Sequence, residues 1–192
     1  MPNLYLIGYR GCGKTTVARL LSERLQLPTI DADEYLEQQA GMSIREIFAA
    51  EGEVGFRNRE CQVVRELTPR HPLIVSWGGG VILNEANRTA LRAAGSIVWL
   101  HAPAETLLER IERDPTTGAR RPNLTAAGGL EEIRHLLAIR ERLYGGIADL
   151  FLNAKELTPV ELADEIAWWF RSHLAPKFNG SERCPEKQDG PA

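Results

Sequence analysis

A glycine-rich segment near the start of the chain has the residue types and spacing needed to hold phosphate groups. The segment GYRGCGKTT fits the pattern GxxxxGK[ST] through Gly8, Gly13, Lys14 and Thr15. In such a loop, backbone N–H groups face phosphate oxygens, the lysine reaches the β- and γ-phosphates of a nucleotide, and the hydroxyl binds Mg²⁺. The alternative is a chance glycine-rich turn. The context of the segment favours a phosphate loop, because a buried strand is predicted directly before the segment and a helix directly after it.

The loop alone leaves open what happens to the phosphate: transfer to a small molecule, hydrolysis coupled to motion, or a guanine-nucleotide switch. A switch protein would carry NKxD and DxxG motifs, and an ABC-type ATPase would carry an LSGGQ-like signature. None of these motifs occurs in the sequence. Phosphate transfer by a small kinase is therefore favoured, and it requires an acceptor site elsewhere in the chain.

Two carboxylates are candidates for that acceptor site. Asp31 and Asp33 stand at the predicted carboxyl end of the second strand, where open α/β sheets bind ligands. One could lie near Mg²⁺, and the other could accept a hydrogen bond from the hydroxyl that attacks the phosphate. The alternative for Asp33 is structural, since an aspartate often caps the start of a helix and EYLEQQ follows it. Spacing alone leaves both interpretations open.

Two arginines could bind an acidic substrate. Arg57 lies three residues before Glu60 on a predicted helix, so the carboxylate can hold the guanidinium in a fixed direction. A fixed, planar guanidinium suits a substrate carboxylate, although a solvated ion pair is the commoner meaning of this spacing. Arg140, in AIRERLY, is no more informative by itself.

Three consecutive glycines, Gly78, Gly79 and Gly80, follow the predicted third strand. Each costs about 1 kcal/mol of backbone entropy on folding, so bare backbone must be needed there. No helix with dipole-aligned amides is predicted to begin at Gly80, which argues against a second phosphate loop. We expect instead a floor on which a small substrate lies between Asp33 and Arg57. On this view Gly79→Ala impairs substrate use more than nucleotide binding.

The elements that must position these residues alternate between strand and helix, which predicts a three-layer α/β fold with helices on both faces of a parallel sheet. The predicted strands are 3–8, 28–31, 73–77, 96–102 and 147–153, in the sheet order 2-3-1-4-5. The predicted helices are 14–25, 33–39, 43–52, 53–67, 85–94, 103–113, 130–143 and 159–174. Trp77, at the end of the third strand, is predicted to be a core aromatic.

Composition indicates a single soluble domain. The chain has 192 residues, of which 43% are hydrophobic and 26% charged, and its net charge of −3 makes neither nucleic acid nor a membrane an expected partner. Three widely spaced cysteines predict free thiols in a reducing compartment, and we expect a cytoplasmic monomer. The domain is predicted over 1–174, with a helical substrate-binding region at about 33–67 and a mobile lid at about 113–129. The composition of residues 175–192 predicts a disordered tail.

In combination, and in this order, the motifs resemble the shikimate kinase family. They are the phosphate loop, DAD at 31–33, FRNRE at 56–60, the three glycines, RRP at 120–122 in the lid, and RERLY at 140–144. The resemblance spans about residues 3–170. It implies the P-loop kinase fold with a mobile lid, and ATP-dependent phosphorylation of the 3-hydroxyl of shikimate in aromatic amino-acid biosynthesis. It also implies Mg²⁺ as a cofactor.

The resemblance further implies roles on the nucleotide side of the site. Lys14 and Arg121 would act on the transferring phosphate, with Arg121 closing from the lid. Thr15 would ligate Mg²⁺ directly, and Asp31 and Ser76 would reach it through water. The residues implied to bind ATP are Gly11, Cys12, Gly13, Lys14, Thr15, Thr16, Arg121 and, near the adenine, Arg110.

On the acceptor side, the resemblance implies that Asp33 orients or deprotonates the attacking hydroxyl. Arg57 and Arg140 would hold the carboxylate of shikimate, with Glu60 orienting Arg57. The ring substituents would lie against the backbone of the glycine run, Gly79 above all, with Gly78 and Gly80 beside it.

Two alternatives remain. The first is a kinase of the same architecture that acts on gluconate or a nucleoside monophosphate, which the combination of FRNRE and three glycines suits poorly. The second is a catalytically silent ATP-binding regulatory module, which would have no need to retain Lys14, Thr15, Asp33 and Arg121 together.

Overall fold

A five-stranded parallel sheet forms the centre of the computed structural model, which describes residues 1–114 and 128–174. The strands lie in the order β2-β3-β1-β4-β5, and each neighbouring pair is parallel, which confirms the predicted order. Parallel strands bring their carboxyl ends to the same end of the sheet. The strands are β1 (Asn3–Ile7), β2 (Thr29–Asp31), β3 (Ile74–Ser76), β4 (Gly95–His101) and β5 (Leu150–Asn153).

Helices cover both faces of this sheet, as predicted. The side chains of β1 are fully buried and alternate between two apolar clusters: Leu4 and Leu6 belong to one, and Tyr5 and Ile7 belong to the other. The helices are α1 (Lys14–Leu25), α2 (Ala32–Ala40), α3 (Ile44–Leu67), α4 (Glu85–Ala94), α5 (Ala104–Arg113), α6 (Gly129–Gly145) and α7 (Pro159–Leu174). The first cluster includes side chains of α1, α5 and α7, the second includes side chains of α2, α3 and α4, and α6 contributes to both.

Several predicted boundaries are wrong in detail. Helix α2 begins one residue earlier than predicted, at Ala32, and β5 begins at Leu150 rather than at residue 147. Helix α3 is interrupted at Gly52, where φ is 69° and ψ is −171°, so the predicted break between two helices is confirmed. A single 3-10 turn, Val81–Leu83, begins directly after Gly80. A turn of three residues has little of the aligned dipole of an α-helix, so it does not contradict the expectation that no helix with aligned amides begins at Gly80.

Other predictions concern the core and the ends of the chain. Trp77 is 1% exposed and lies edge-on to Tyr5, which confirms it as a core aromatic. Across residues 1–114 and 128–174, none of the helices combines the length and apolar character that spanning a membrane would need. Most of the predicted lid, including Arg121, and the predicted tail at 175–192 lie outside the described residues.

Candidate active site

A cavity of about 430 Å³ opens at the carboxyl ends of the strands, next to the phosphate loop. It brings the loop together with the carboxylates that follow β2 and the glycines that follow β3. This is the end of a parallel sheet at which ligands bind in α/β proteins. The predicted site residues that line it are Gly11, Cys12, Gly13, Lys14, Thr15, Thr16, Asp31, Asp33, Ser76, Gly78, Gly79 and Arg110.

The phosphate loop holds its lysine in a defined place. Gly13 occupies the N-cap position of α1 with φ 94°, a conformation that favours glycine, and it supplies no capping side chain to the first amides of the helix. The ammonium of Lys14 donates to the carbonyl oxygens of Gly8 at 3.0 Å and Tyr9 at 2.9 Å. Lys14 is 9% exposed. The loop therefore combines open helix amides with a largely buried positive charge, which is an arrangement suited to phosphate.

Asp31, and not Asp33, caps α2. Its Oδ1 accepts hydrogen bonds from the backbone N–H groups of Asp33 at 3.0 Å and Glu34 at 3.4 Å. The structural alternative considered for Asp33 is therefore wrong, because the helix begins one residue earlier than its pattern predicts. Asp33 instead stands in the first turn of α2 and lines the cavity.

Oxygen atoms suited to a hard cation meet where β2 ends. The hydroxyl of Thr15 donates to Oδ2 of Asp31 at 2.7 Å, and both residues line the cavity. Within the described part of the chain, no group of three or more His, Cys, Asp or Glu residues could hold a metal by itself. Mg²⁺ in phosphoryl-transfer sites commonly takes one or two protein oxygens together with phosphate and water. A hydroxyl and a carboxylate at the phosphate loop fit that ion.

The predicted ion pair on α3 forms. Nη1 of Arg57 donates to Glu60 at 2.9 Å, and the Glu60 side chain is only 7% exposed. Nε and Nη2 of Arg57 both donate to Oε1 of Glu53, at 3.3 and 3.2 Å, a second partner that the sequence analysis did not identify. Two carboxylates therefore fix the direction of this guanidinium.

The glycine run makes two different close approaches. A Cβ built on Gly80 would lie 2.2 Å from Nη1 of Arg57, so only glycine leaves that guanidinium in place. A Cβ on Gly79 would lie 3.1 Å from the carbonyl oxygen of Gly8 and 3.2 Å from the hydroxyl of Tyr144. Gly79 is therefore packed against the phosphate loop itself. This changes the expectation for Gly79→Ala, which would disturb nucleotide binding as well as substrate use.

Arg140 is a buried cation beside this backbone. It is 5% exposed, and its Nη1 donates to the carbonyl of Gly79 at 3.4 Å. Its guanidinium lies 5.7 Å from the centre of the Tyr9 ring. Among the residues that the structure describes, no carboxylate lies within salt-bridge distance of Arg140, and its buried Nε has no hydrogen-bond partner. A buried charge with so few partners is rare and costly unless an anion joins it.

Arg57 and Arg140 do not line the cavity but flank the glycine backbone that does. The structure thus brings together the phosphate loop, Asp33 and the glycines directly, and places the two arginines beside that group. The role predicted for Arg121 lies outside the described residues.

The sequence analysis missed part of the cavity wall. Arg10, within the phosphate loop, lines the cavity and pairs at 3.2 Å with Glu132, whose side chain is 1% exposed. Burial raises the pKa of the adjacent Tyr9, although the charges of Arg10 and Arg140 act in the opposite direction. Arg10 could have been identified from the sequence, because it is a cation inside the loop motif. No pattern in the residues around Glu132 indicates that it belongs to the site.

A second missed part of the wall lies around Arg110, which donates to the carbonyl of Ala154 at 2.7 Å. This wall follows β5 and continues into α7, and no motif marks it in the sequence. Its largely apolar members are Ala154, Leu157, Pro159 and Leu162.

Comparison with known proteins links this chain to one family. The family model described as "Shikimate kinase" matches residues 10–170. The chain is 44% identical to a shikimate kinase of Rhodopirellula baltica over 164 residues, which cover 85% of this chain and 88% of that protein. Among solved structures, a shikimate kinase from Acinetobacter baumannii in complex with shikimate has a TM-score of 0.84 and 39% identity, covering 91% of this chain and 96% of that one. A shikimate kinase from Aquifex aeolicus has a TM-score of 0.73 and 33% identity, covering 89% and 97%.

Proposed function

The chain belongs to the shikimate kinase family, and we propose that its cleft transfers the γ-phosphate of ATP to the 3-hydroxyl of shikimate, a step in the biosynthesis of chorismate and the aromatic amino acids. The observation that carries the proposal is the placement of two arginines, Arg57 and Arg140, beside the bare backbone of Gly79 and Gly80, directly next to the phosphate loop. Shikimate is a small polyhydroxy acid. It therefore needs cations for its carboxylate and a close backbone beneath its ring.

On the nucleotide side, the amides at the start of α1 and the ammonium of Lys14 bind the phosphates. Thr15 would hold Mg²⁺ through its hydroxyl, and Asp31 and Ser76 would reach it through water. When bound, Mg²⁺ neutralises charge on the β- and γ-phosphates. The resemblance to the family adds Arg110 beside the adenine and Arg121 from the lid, next to the transferring phosphate.

On the acceptor side, Asp33 accepts the hydrogen bond of the attacking hydroxyl and directs it at the phosphorus. Arg57 and Arg140 bind the carboxylate at the other end of the ring, so the acceptor cannot turn. Fixing both reactants in this way is the largest contribution that a protein makes to phosphoryl transfer, together with positive charge over the phosphate oxygens.

The activity is tested by measuring ADP release from ATP and Mg²⁺ with three acceptors: shikimate, gluconate and a nucleoside monophosphate. We expect ADP release that depends on shikimate and is absent with the other two. Release that depends on gluconate or a nucleotide would indicate the related kinases, and ATP binding without any acceptor-dependent release would indicate a silent module.

Gly80→Ala tests the acceptor side separately from the nucleotide side. The new Cβ displaces the guanidinium of Arg57, so we expect the KM for shikimate to rise about tenfold, the loss of one charge-assisted hydrogen bond. The KM for ATP should change less than about twofold, because the atoms nearest to a Cβ at Gly80 all belong to Arg57 and none belongs to the phosphate loop.

Two comparisons make that result specific. Gly145→Ala is a matched control, because a Cβ there meets Trp99 at an ordinary 3.6 Å. A double-mutant cycle with Arg57→Ala should show that the two changes are not additive, since both act on the same guanidinium. Additive effects would contradict the proposed route through Arg57.

A further inference from the structure

The carbonyl of Gly79 is held by two side chains of α6. Tyr144 donates its phenolic hydrogen to this oxygen at 2.5 Å, and Arg140 donates from Nη1 at 3.4 Å. The two donors are four residues apart, so they lie on the same face of the helix. One helix therefore both carries a cation proposed to bind shikimate and fixes the backbone beneath the ring.

Gly79 also contacts the phosphate loop. A Cβ at this position would lie 3.1 Å from the oxygen of Gly8 and 3.4 Å from the Cα of Tyr9. Gly79 is therefore the point at which the phosphate loop, the glycine floor and α6 meet. A shift of its backbone would change the distance between the two substrates.

The orientation of the peptide plane between Gly79 and Gly80 is only weakly restrained by the flanking residues. Both flanking residues lack a Cβ, so rotation of this peptide plane meets few steric barriers. The plane is trans and rigid, so a carbonyl that points at α6 directs the N–H of Gly80 away from α6. The next amide, that of Val81, donates to the carbonyl of Gly78 at 3.1 Å, so the Gly79–Gly80 peptide is the central peptide of a hydrogen-bonded turn and its own N–H is directed outward from that turn.

Tyr144 is well suited to hold this plane. Its side chain is fully buried and stacks on Trp99, with ring centres 5.6 Å apart. Burial raises the pKa of Tyr144, so the phenol keeps its proton and remains a donor throughout the working pH range.

We propose that Tyr144 is a positioning residue for the acceptor: its hydroxyl fixes the Gly79–Gly80 peptide, so that the N–H of Gly80 faces the shikimate beside Arg57. The proposal rests on the proposed function for its ligand, but the orientation of the peptide can be tested without it. Tyr144 does not touch the substrate and takes no part in the transfer of the phosphate.

Tyr144→Phe removes only the hydroxyl and keeps the ring that stacks on Trp99. We expect the KM for shikimate to rise about five- to tenfold and the KM for ATP, at saturating shikimate, to change less than about twofold. Tyr5→Phe is the matched control, because Tyr5 is also fully buried and its hydroxyl also takes part in hydrogen bonding, accepting from Asn3 at 2.7 Å. Both variants should lose thermal stability, but only Tyr144→Phe should change the KM for shikimate. An unchanged KM in Tyr144→Phe, or an equal rise in both variants, would overturn the proposal.

A second measurement separates this proposal from the proposed function. In protein labelled with ¹⁵N-glycine, the amide signal of Gly80 should shift or broaden in Tyr144→Phe and stay in place in Tyr5→Phe, with no substrate added. In the unmodified protein, shikimate should shift the same signal. If the Tyr144→Phe spectrum differs as expected but shikimate has no effect, the peptide is held as proposed and the choice of substrate is wrong. If the signal is the same in both variants, Tyr144 does not hold the peptide.

Discussion

Lys14→Met should lower kcat by about 10³-fold, the loss expected when one preorganised charge next to the developing oxyanions is removed. Lys14 is largely buried, and the carbonyls of Gly8 and Tyr9 hold its ammonium inside the phosphate loop. Methionine keeps the length and the unbranched shape of the side chain but carries no charge. The affinity for ATP should also fall, because the same ammonium is proposed to bind the phosphates before the transfer. ADP release gives kcat, and calorimetry gives the affinity.

The comparison variant for this experiment is Lys155→Met. Lys155 is exposed, so its loss removes one positive charge from the protein without changing the loop. We expect near-normal turnover in Lys155→Met. Thermal melting of Lys14→Met must also show a folded protein, since its ammonium links two loop carbonyls. A folded Lys14→Met protein with kcat within about tenfold of normal would place catalysis away from the phosphate loop.

Local patterns predicted the fold class, the phosphate loop and one ion pair of the site. The strand segments and the phosphate loop follow from apolar segments and glycine spacing, both of which act within a few residues. The pair of Arg57 and Glu60 was predictable for the same reason, since residues three or four apart on a helix are neighbours. Glu53, one turn earlier on the same helix, could have been predicted by the same rule.

The roles of Asp31 and Asp33 show where local patterns fail. Both were predicted at the end of β2, but the cap was considered only for Asp33, whereas Asp31 makes it. Asp31 caps α2 with one oxygen and accepts from Thr15 with the other, so its position depends on a residue 16 places earlier in the chain. Nothing in a local pattern reports such a contact.

The sequence predicted that the glycine run supplies bare backbone, but it did not predict which neighbour each glycine approaches. Gly80 faces Arg57, and Gly79 faces the phosphate loop and Tyr144. These contacts join residues that are 23 to 71 positions apart, and the burial of Glu132 against Arg10 spans 122 positions. They exist only after the sheet has formed, so they depend on topology rather than on residue type.

Asp33→Asn should lower kcat by about 10²- to 10⁴-fold, the range for loss of a general base. Asp33 lines the cavity in the first turn of α2, at the carboxyl end of the strand next to β3 and its glycines. Asparagine keeps the shape of the side chain and can still accept a hydrogen bond, but it cannot take a proton. The affinity for ATP should change less than about threefold, because the phosphate loop is unchanged.

Glu34→Gln controls for the helix. Glu34 also lies in the first turn of α2, and Asp31 accepts its backbone N–H as it accepts that of Asp33. Either substitution removes one negative charge from the same helix terminus, so both lose the same favourable interaction with the helix dipole. Only Asp33 lines the cavity, so only Asp33→Asn should impair turnover.

Comparison of kcat in Asp33→Asn with kcat in Asp33→Ala then separates the two roles proposed for Asp33. If this carboxylate only orients the hydroxyl, Asp33→Asn should keep most of kcat and Asp33→Ala should lose it, because asparagine can still accept the hydrogen bond. If the carboxylate also takes the proton, the two variants should lose kcat to a similar extent, since neither side chain is a base. Turnover in both Asp33→Asn and Asp33→Ala equal to that in Glu34→Gln would contradict both roles and would leave Asp33 as a residue of the helix terminus. The attacking hydroxyl would then have to lose its proton directly to the transferring phosphate.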